Sequence, residues 1–190
     1  MMTELHYLAY GSNLHPLRIG ARLGVVKRVG TVVLPGWRFA MHKRGEDGSG
    51  KGNLVACADS HAWGVVYRLQ DNMKTLLDDY EGEGYDCVTL QLSLPQQSRT
   101  QMLDCFAYLA MPEWIDDRLL PHDWYAELIE HGARHAGFPA AYVDWIARHP
   151  RCPDDVGAQR HQQLLQRMRV ETTKESLREL NMTGSRPAPG

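Results

Sequence analysis

Two short segments hold the side chains best suited to chemistry. Tyr7-Leu8-Ala9-Tyr10-Gly11-Ser12-Asn13-Leu14 is an aromatic and aliphatic run that stops at a glycine turn. A glycine there lets the backbone turn tightly and approach a ligand, leaving amide N–H groups free for an anion or a carbonyl oxygen. Asp78, Asp79, Glu81 and Glu83 crowd around Gly82 and Gly84, just before Tyr85. One carboxylate of that group could act as a general acid and base if burial raised its pKa toward neutrality. Read from its neighbours alone, Glu81 is a solvated carboxylate at a helix end.

Other apparent sites lack what their chemistry requires. Gly45–Gly52 has the spacing of a phosphate-binding loop, but the residue after Lys51 is Gly52, with no hydroxyl for Mg²⁺. The next stretch, Asn53–Ala58, reads as a strand and offers no helix N-terminus to a phosphate, so the segment is a flexible loop between two strands. His131 and His135 stand at i, i+4, yet no Glu lies between them and no third ligand is signalled; they read as a solvated helix face. Cys57, Cys87, Cys105 and Cys152 are scattered and read as buried small hydrophobes, and Ser12 is not in a G-x-S-x-G elbow. No metal site is expected.

These segments need a scaffold. Leu5–Tyr10 reads as a strand, and His15–Leu23, with Pro16 at its start and Gly24 past its end, as a short helix. From Val25 to Leu94 the chain is mostly β-like, broken by Asp71–Tyr80, where Asp71 or Asn72 can cap one or two helical turns. Trp63, Val65 and Tyr67 read as structural strand residues, with Gly64 allowing close packing. Gln101–Ala110 is a further strand, and Asp123–Gly137, Pro139–His149 and Val156–Val170 read as helices. Strands first and helices last predict an α+β fold, a curled or barrel-like mixed sheet with helices on one side. Residues 1–170 form one domain, and the polar stretch 171–190, ending in GSRPAPG, is excluded from the core as a loose or appended tail.

With 21 basic and 23 acidic side chains in 190 residues, the net charge is −2, which gives no electrostatic footprint for nucleic acid. No run approaches a membrane span and no signal peptide is visible, so a cytoplasmic protein is expected; a homodimer is compatible with this composition.

Taken together, the AYGSN loop, the Trp63–Tyr67 strand (W-G-V-V-Y), the Glu81-Gly82 pair after a short helix, and the Y-x-x-L-I-x-x-G-A…G-x-P-x-x-Y pattern from Tyr125 to Tyr142 resemble the γ-glutamylcyclotransferase family. The likeness runs from about Leu5 to Ile146. It implies cyclisation of a γ-glutamyl amino acid or γ-glutamyl amine to 5-oxoproline, with release of the amine and no cofactor. Glu81 matches the family's catalytic Glu, which reverses the solvated reading. Tyr7, Leu8, Ala9, Tyr10, Gly11, Ser12, Asn13 and Tyr125 match its substrate-binding positions, with the Gly11 and Ser12 amides as oxyanion or carboxylate donors. The glutathione-specific branch looks different, with Leu where Asn13 stands. The interval from Glu81-Gly82 to Tyr85 is short for the family, so Tyr85 takes no role from the resemblance. Two alternatives stay open: removal of a γ-glutamyl group from a secondary metabolite, and a non-catalytic protein that binds a γ-glutamyl or amino-acid ligand. The wall facing the departing amine is expected from the loops 44–52 and 112–122.

Overall fold

The computed structural model describes residues 4–96 and 99–183. Five strands, β1 (Glu4–Ala9), β2 (Lys27–Arg44), β3 (Gly50–Gln70), β4 (Tyr85–Gln96) and β5 (Arg99–Ala110), form one sheet in the order β2-β3-β1-β5-β4. β1 is central, antiparallel to β3 and parallel to β5, with Tyr7 opposite both Tyr67 and Phe106. The helices are α1 (Pro16–Leu23), α2 (Asp71–Glu81), α3 (Asp123–His135), α4 (Ala140–Ala147) and α5 (Asp155–Thr183). The α+β expectation holds. The sheet curls without closing: β2 and β4 are both edge strands, though Leu94 of β4 lies against Gly30 of β2, 3.3 Å from where a Cβ would stand.

Between Val25 and Leu94 the chain makes three long strands, β2, β3 and β4, and β2 runs on through a strand-breaking pair. The pair is Pro35-Gly36, taken up by a register shift between Pro35 and Trp37. Proline is tolerated there because β2 is an edge strand and a bulge absorbs the missing donor. Gly64 of β3 is needed for close approach: a Cβ on it would lie 2.5 Å from Leu8 Cδ1. Filling that space costs roughly 1–3 kcal/mol in a packed core. Leu8, Val66 and Tyr67 are fully buried around it, and the Tyr67 hydroxyl donates to the Leu14 carbonyl at 2.7 Å.

The helix ends obey local chemistry. The His15 side chain caps α1 by accepting the Leu17 N–H, Pro16 occupies the first turn, and Gly24 stops it at φ 83°. α2 runs to Glu81, and its N-cap position falls on Gln70, ahead of the expected Asp71 or Asn72 and without a side-chain cap hydrogen bond. Gly82 then takes φ 68° and returns its N–H to the Asp78 carbonyl, which makes Glu81 the last helical residue. α5 continues through Thr183, so the boundary expected at residue 170 falls inside a helix; Glu171 and Thr172 face α1 and α3 through His15 and His131. Residues 184–190 of the expected tail lie outside the described residues. Among the described residues no helix is long and apolar enough to cross a membrane.

Candidate active site

Glu81 sits at the C-terminal end of α2, with its side chain only 17% exposed. Its Oε1 accepts the Asn13 side-chain amide at 2.8 Å and lies 3.4 Å from Arg22 Nη1. The same Arg22 nitrogen donates to Asn13 Oδ1 at 3.0 Å, while Asn13 Nδ2 also donates to the Tyr7 hydroxyl at 3.1 Å. Asn13, Arg22 and Glu81 thus brace one another, and Glu81 Oε2 has no protein partner among the described residues. Burial pushes the Glu81 carboxyl above its usual range; Arg22, the Asn13 hydrogen bond, Arg18 and Lys43 oppose that shift without cancelling it. The neighbouring acids are more exposed: Asp78 pairs with Lys74 at 2.8 Å, and Asp79 and Glu83 stand on the open side of the site.

Behind Glu81 is a narrow pocket lined by Tyr7, Tyr10, Gly11, Ser12, Asn13, Gly52, Tyr85, Tyr108 and Tyr125. Burial, reinforced by the Glu81 charge, raises the Tyr7, Tyr10 and Tyr125 hydroxyls above their ordinary value, so they stay neutral O–H groups at physiological pH. The Tyr125 hydroxyl accepts the Gly52 N–H at 2.9 Å, and Tyr85 donates to the Gly52 carbonyl at 2.6 Å. Tyr10 is tied to the Tyr108 carbonyl, and Tyr108 to Asp78. The Gly11 and Ser12 N–H groups have no acceptor among the described residues, which leaves them available to a ligand oxygen.

Most of the expected site residues meet here. Glu81, Tyr7, Tyr10, Gly11, Ser12, Asn13 and Tyr125 line the pocket, but Leu8 and Ala9 do not. Strand alternation explains Leu8, whose side chain packs on Gly64; Ala9 is wholly buried. Gly11 does not take a positive φ, and a Cβ there would stand 3.8 Å from the Tyr125 hydroxyl. Its contribution is open space rather than a strained turn. Tyr85, unassigned from sequence, lines the pocket, and so does Gly52, the residue that spoils the phosphate-loop pattern.

The pocket opens into a cleft of about 570 Å³ that shares Ser12, Glu81, Tyr85 and Tyr125 with it. Its outer wall comes from Lys43 and the 45–51 loop, as expected, but also from Asp154, Val156, Gly157, Arg160 and His161 at the start of α5. None of residues 112–122 lines it; they support the 45–51 loop from behind, where the Gly50 N–H meets the Leu120 carbonyl at 2.9 Å. That loop is held by its own hydrogen bonds: Asp47 accepts from the Ser49 N–H and hydroxyl and from Lys51. Arg18 and Arg22, missed as site residues, stand at i, i+4 on α1 and both line the cleft. That spacing just after the YGSN turn was the signal for a shared face.

His15, His135 and Glu171 bring ligand atoms within 4.8 Å of one another. This overturns the solvated reading of His135, whose ring lies 4.4 Å from that of His15; His131 instead meets Glu127 and Thr172. The set does not fit a metal. His15 Nδ1 accepts the Leu17 N–H at 3.1 Å, so the neutral ring carries its proton on Nε2, the nitrogen that would have to bind the ion.

The AIG2-like family model matches residues 61–146. No curated protein matches the sequence. The fold is similar to that of a solved γ-glutamyl cyclotransferase, at 21% identity and TM-score 0.69 over 80% of this chain and 90% of that one. It is likewise similar to an uncharacterized protein from Homo sapiens, at 22% identity and TM-score 0.68 with the same 80% and 90% coverage. YkqA from Bacillus subtilis matches at 19% identity and TM-score 0.62, over 79% of this chain and 56% of that one. The chain thus shares the fold of a solved γ-glutamyl cyclotransferase, and its residues 61–146, from within β3 to α4, match the AIG2-like family model.

Proposed function

We propose that this protein converts a γ-glutamyl amino acid or γ-glutamyl amine into 5-oxoproline and the free amine. The observation that carries the reading is Glu81: one mostly buried carboxylate, braced on Oε1 and unpartnered on Oε2 among the described residues, beside a pocket lined by the Tyr7 and Tyr125 hydroxyls. The α-amine of the γ-glutamyl group attacks its own γ-carbonyl. A C–N bond forms, the ring closes, and negative charge develops on the carbonyl oxygen. Because the nucleophile is tethered, positioning supplies much of the rate. Glu81 Oε2 takes the proton from the attacking nitrogen and delivers it to the departing nitrogen as the old C–N bond breaks. The Gly11 and Ser12 N–H groups, with the Tyr7 and Tyr125 hydroxyls, are the donors at hand for the oxyanion. Tyr7 accepts from Asn13, which leaves its own proton free to donate.

The cleft of about 570 Å³ is in the range that holds drug-sized ligands, so departing amines larger than an amino acid also fit the reading. The test is release of 5-oxoproline from a panel running from γ-glutamyl-alanine to bulky γ-glutamyl amines. No release from any member, with the ligands bound and recovered intact, overturns the reading in favour of a non-catalytic binding protein.

A further inference from the structure

The cleft carries five cations: Arg18, Arg22, Lys43, Lys51 and Arg160. Four have their charge satisfied. Arg22 braces Asn13 and Glu81. Lys43 donates to the Glu83 carbonyl and stands over the rings of Tyr85 and Trp114, at 4.5 and 4.8 Å. Lys51 pairs with Asp47 at 2.6 Å, and Arg160 is exposed to water. Arg18 remains. Its Nε is buried with no hydrogen-bond partner, and its guanidinium has no ion pair or ring contact among the described residues. Burial, together with nearby Arg22, pulls the Arg18 pKa down to about 10. A buried guanidinium N–H without an acceptor is costly, and the planar fork that carries it is shaped for two carboxylate oxygens.

We propose that Arg18 is the anchor for the α-carboxylate of the γ-glutamyl group, held through a bidentate pair at the floor of the cleft. This inference rests on the proposed cyclotransferase reading. In a γ-glutamyl substrate the α-carbon bears both the amine that must reach Glu81 and a carboxylate one bond away. Glu81 and Arg18 line the same cleft and feel each other's charge, so one carbon can present its amine to the first and its carboxylate to the second. An amide built on 4-aminobutanoate, which can close the same five-membered ring but has no α-carboxylate, would leave Arg18 unpaired and bind poorly.

The test compares binding of 5-oxoproline and of 2-pyrrolidinone, the same ring without the carboxylate, by calorimetry. The parent protein is expected to favour 5-oxoproline about tenfold or more. Arg18→Met should erase that preference, Arg18→Lys should keep part of it, and Arg160→Met should leave it unchanged. Removing Arg18 also alters the field at Glu81, so ligand preference rather than rate is the deciding readout. Thermal melts establish that each variant is folded, and Arg18→Lys supplies the answer if Arg18→Met is not. A preference that survives in Arg18→Met, or that vanishes in Arg160→Met instead, overturns the assignment while leaving the cyclotransferase reading intact. A parent protein that binds neither ring and releases no 5-oxoproline overturns the cyclotransferase reading itself.

Discussion

The inner pocket sets five tyrosines around a single carboxylate, whereas the outer cleft mixes five cations with six carboxylates, Glu81 shared between them. In the inner region the Tyr7 and Tyr125 hydroxyls and the Gly11 and Ser12 N–H groups are donors that do not titrate near neutral pH, which suits the stabilisation of a charge that exists only briefly. In the outer region several charges already have partners of their own, as Lys51 has Asp47 and Lys43 has its aromatic cage, and others stand exposed to water. Such a surface tolerates a range of departing groups without strongly favouring one sign. The division implies that inner changes act on the chemical step and outer changes on the choice of substrate.

The largest effect should come from Glu81→Gln. Removing the proton carrier should lower kcat by about 10³-fold, within the range of general acid–base catalysis, while leaving 5-oxoproline affinity within about threefold. A variant as fast as the parent would remove the basis for the inner region's role. The same substitution has a stability signature. The folded Glu81 carboxyl titrates above its unfolded value, so its contribution to stability is present at low pH and lost as pH rises through the folded value. Glu81→Gln should therefore melt higher than the parent at pH 8, and the gap should close near pH 4.

Arg22→Met comes next, with a loss of about 10- to 100-fold that grows as pH falls. Arg22 opposes the burial-driven rise of the Glu81 pKa, so removing it raises that pKa further and shifts the acid limb of the kcat/KM profile to higher pH. A profile lowered equally at all pH values would mean that Arg22 acts only by packing. Lys51→Met probes the outer wall, where Lys51 lies over Trp124 and Tyr125 at 5.2 and 4.8 Å. KM should change by about two- to fivefold, to an extent that varies with the departing amine, with kcat nearly constant. A uniform fall in kcat would break the division of labour.

The smallest expected effect on activity is at His15, away from both regions. Burial, with nearby His135 and His131, pulls the His15 pKa down to about 3. A depressed folded value stabilises the protein above the unfolded value near 6.5 and loses that stabilisation as pH falls from there toward 3. His15→Asn keeps a side-chain cap on α1 and should flatten the fall in melting temperature between pH 6.5 and 4, with turnover at neutral pH unchanged. An unaltered melting profile would assign the acid sensitivity to other groups.

Much of the scaffold is legible in the residues because its signals are local. Pro16 and Gly24 bound α1, Gly82 ends α2, and Gly64 marks where β3 passes close to Leu8. Two features depend on distant partners. Pro35-Gly36 carries strand-breaking residues but sits at a bulge in an edge strand, and the polar residues after 170 continue α5, where Glu171 and Thr172 meet His15 and His131. Neither the paired strand nor the neighbouring helix that decides the outcome is nearby in sequence.

The sequence by itself determined, to within a residue, the elements that carry the site: a strand ending at about Tyr10, a turn through Asn13, a helix ending just before Glu81, and a group of acids at that stop. Steric and hydrogen-bonding limits on a few adjacent residues suffice for those. Which acid faces inward was decided only by the tertiary structure. Asp78, Asp79, Glu81 and Glu83 have similar intrinsic chemistry, and they diverge because docking of α2 against the sheet and α1 turns Glu81 toward Asn13, 68 positions away in the chain, and leaves the other three exposed. Burial and the Arg22 brace exist only once those distant segments meet, and they separate a proton carrier from a solvated carboxylate.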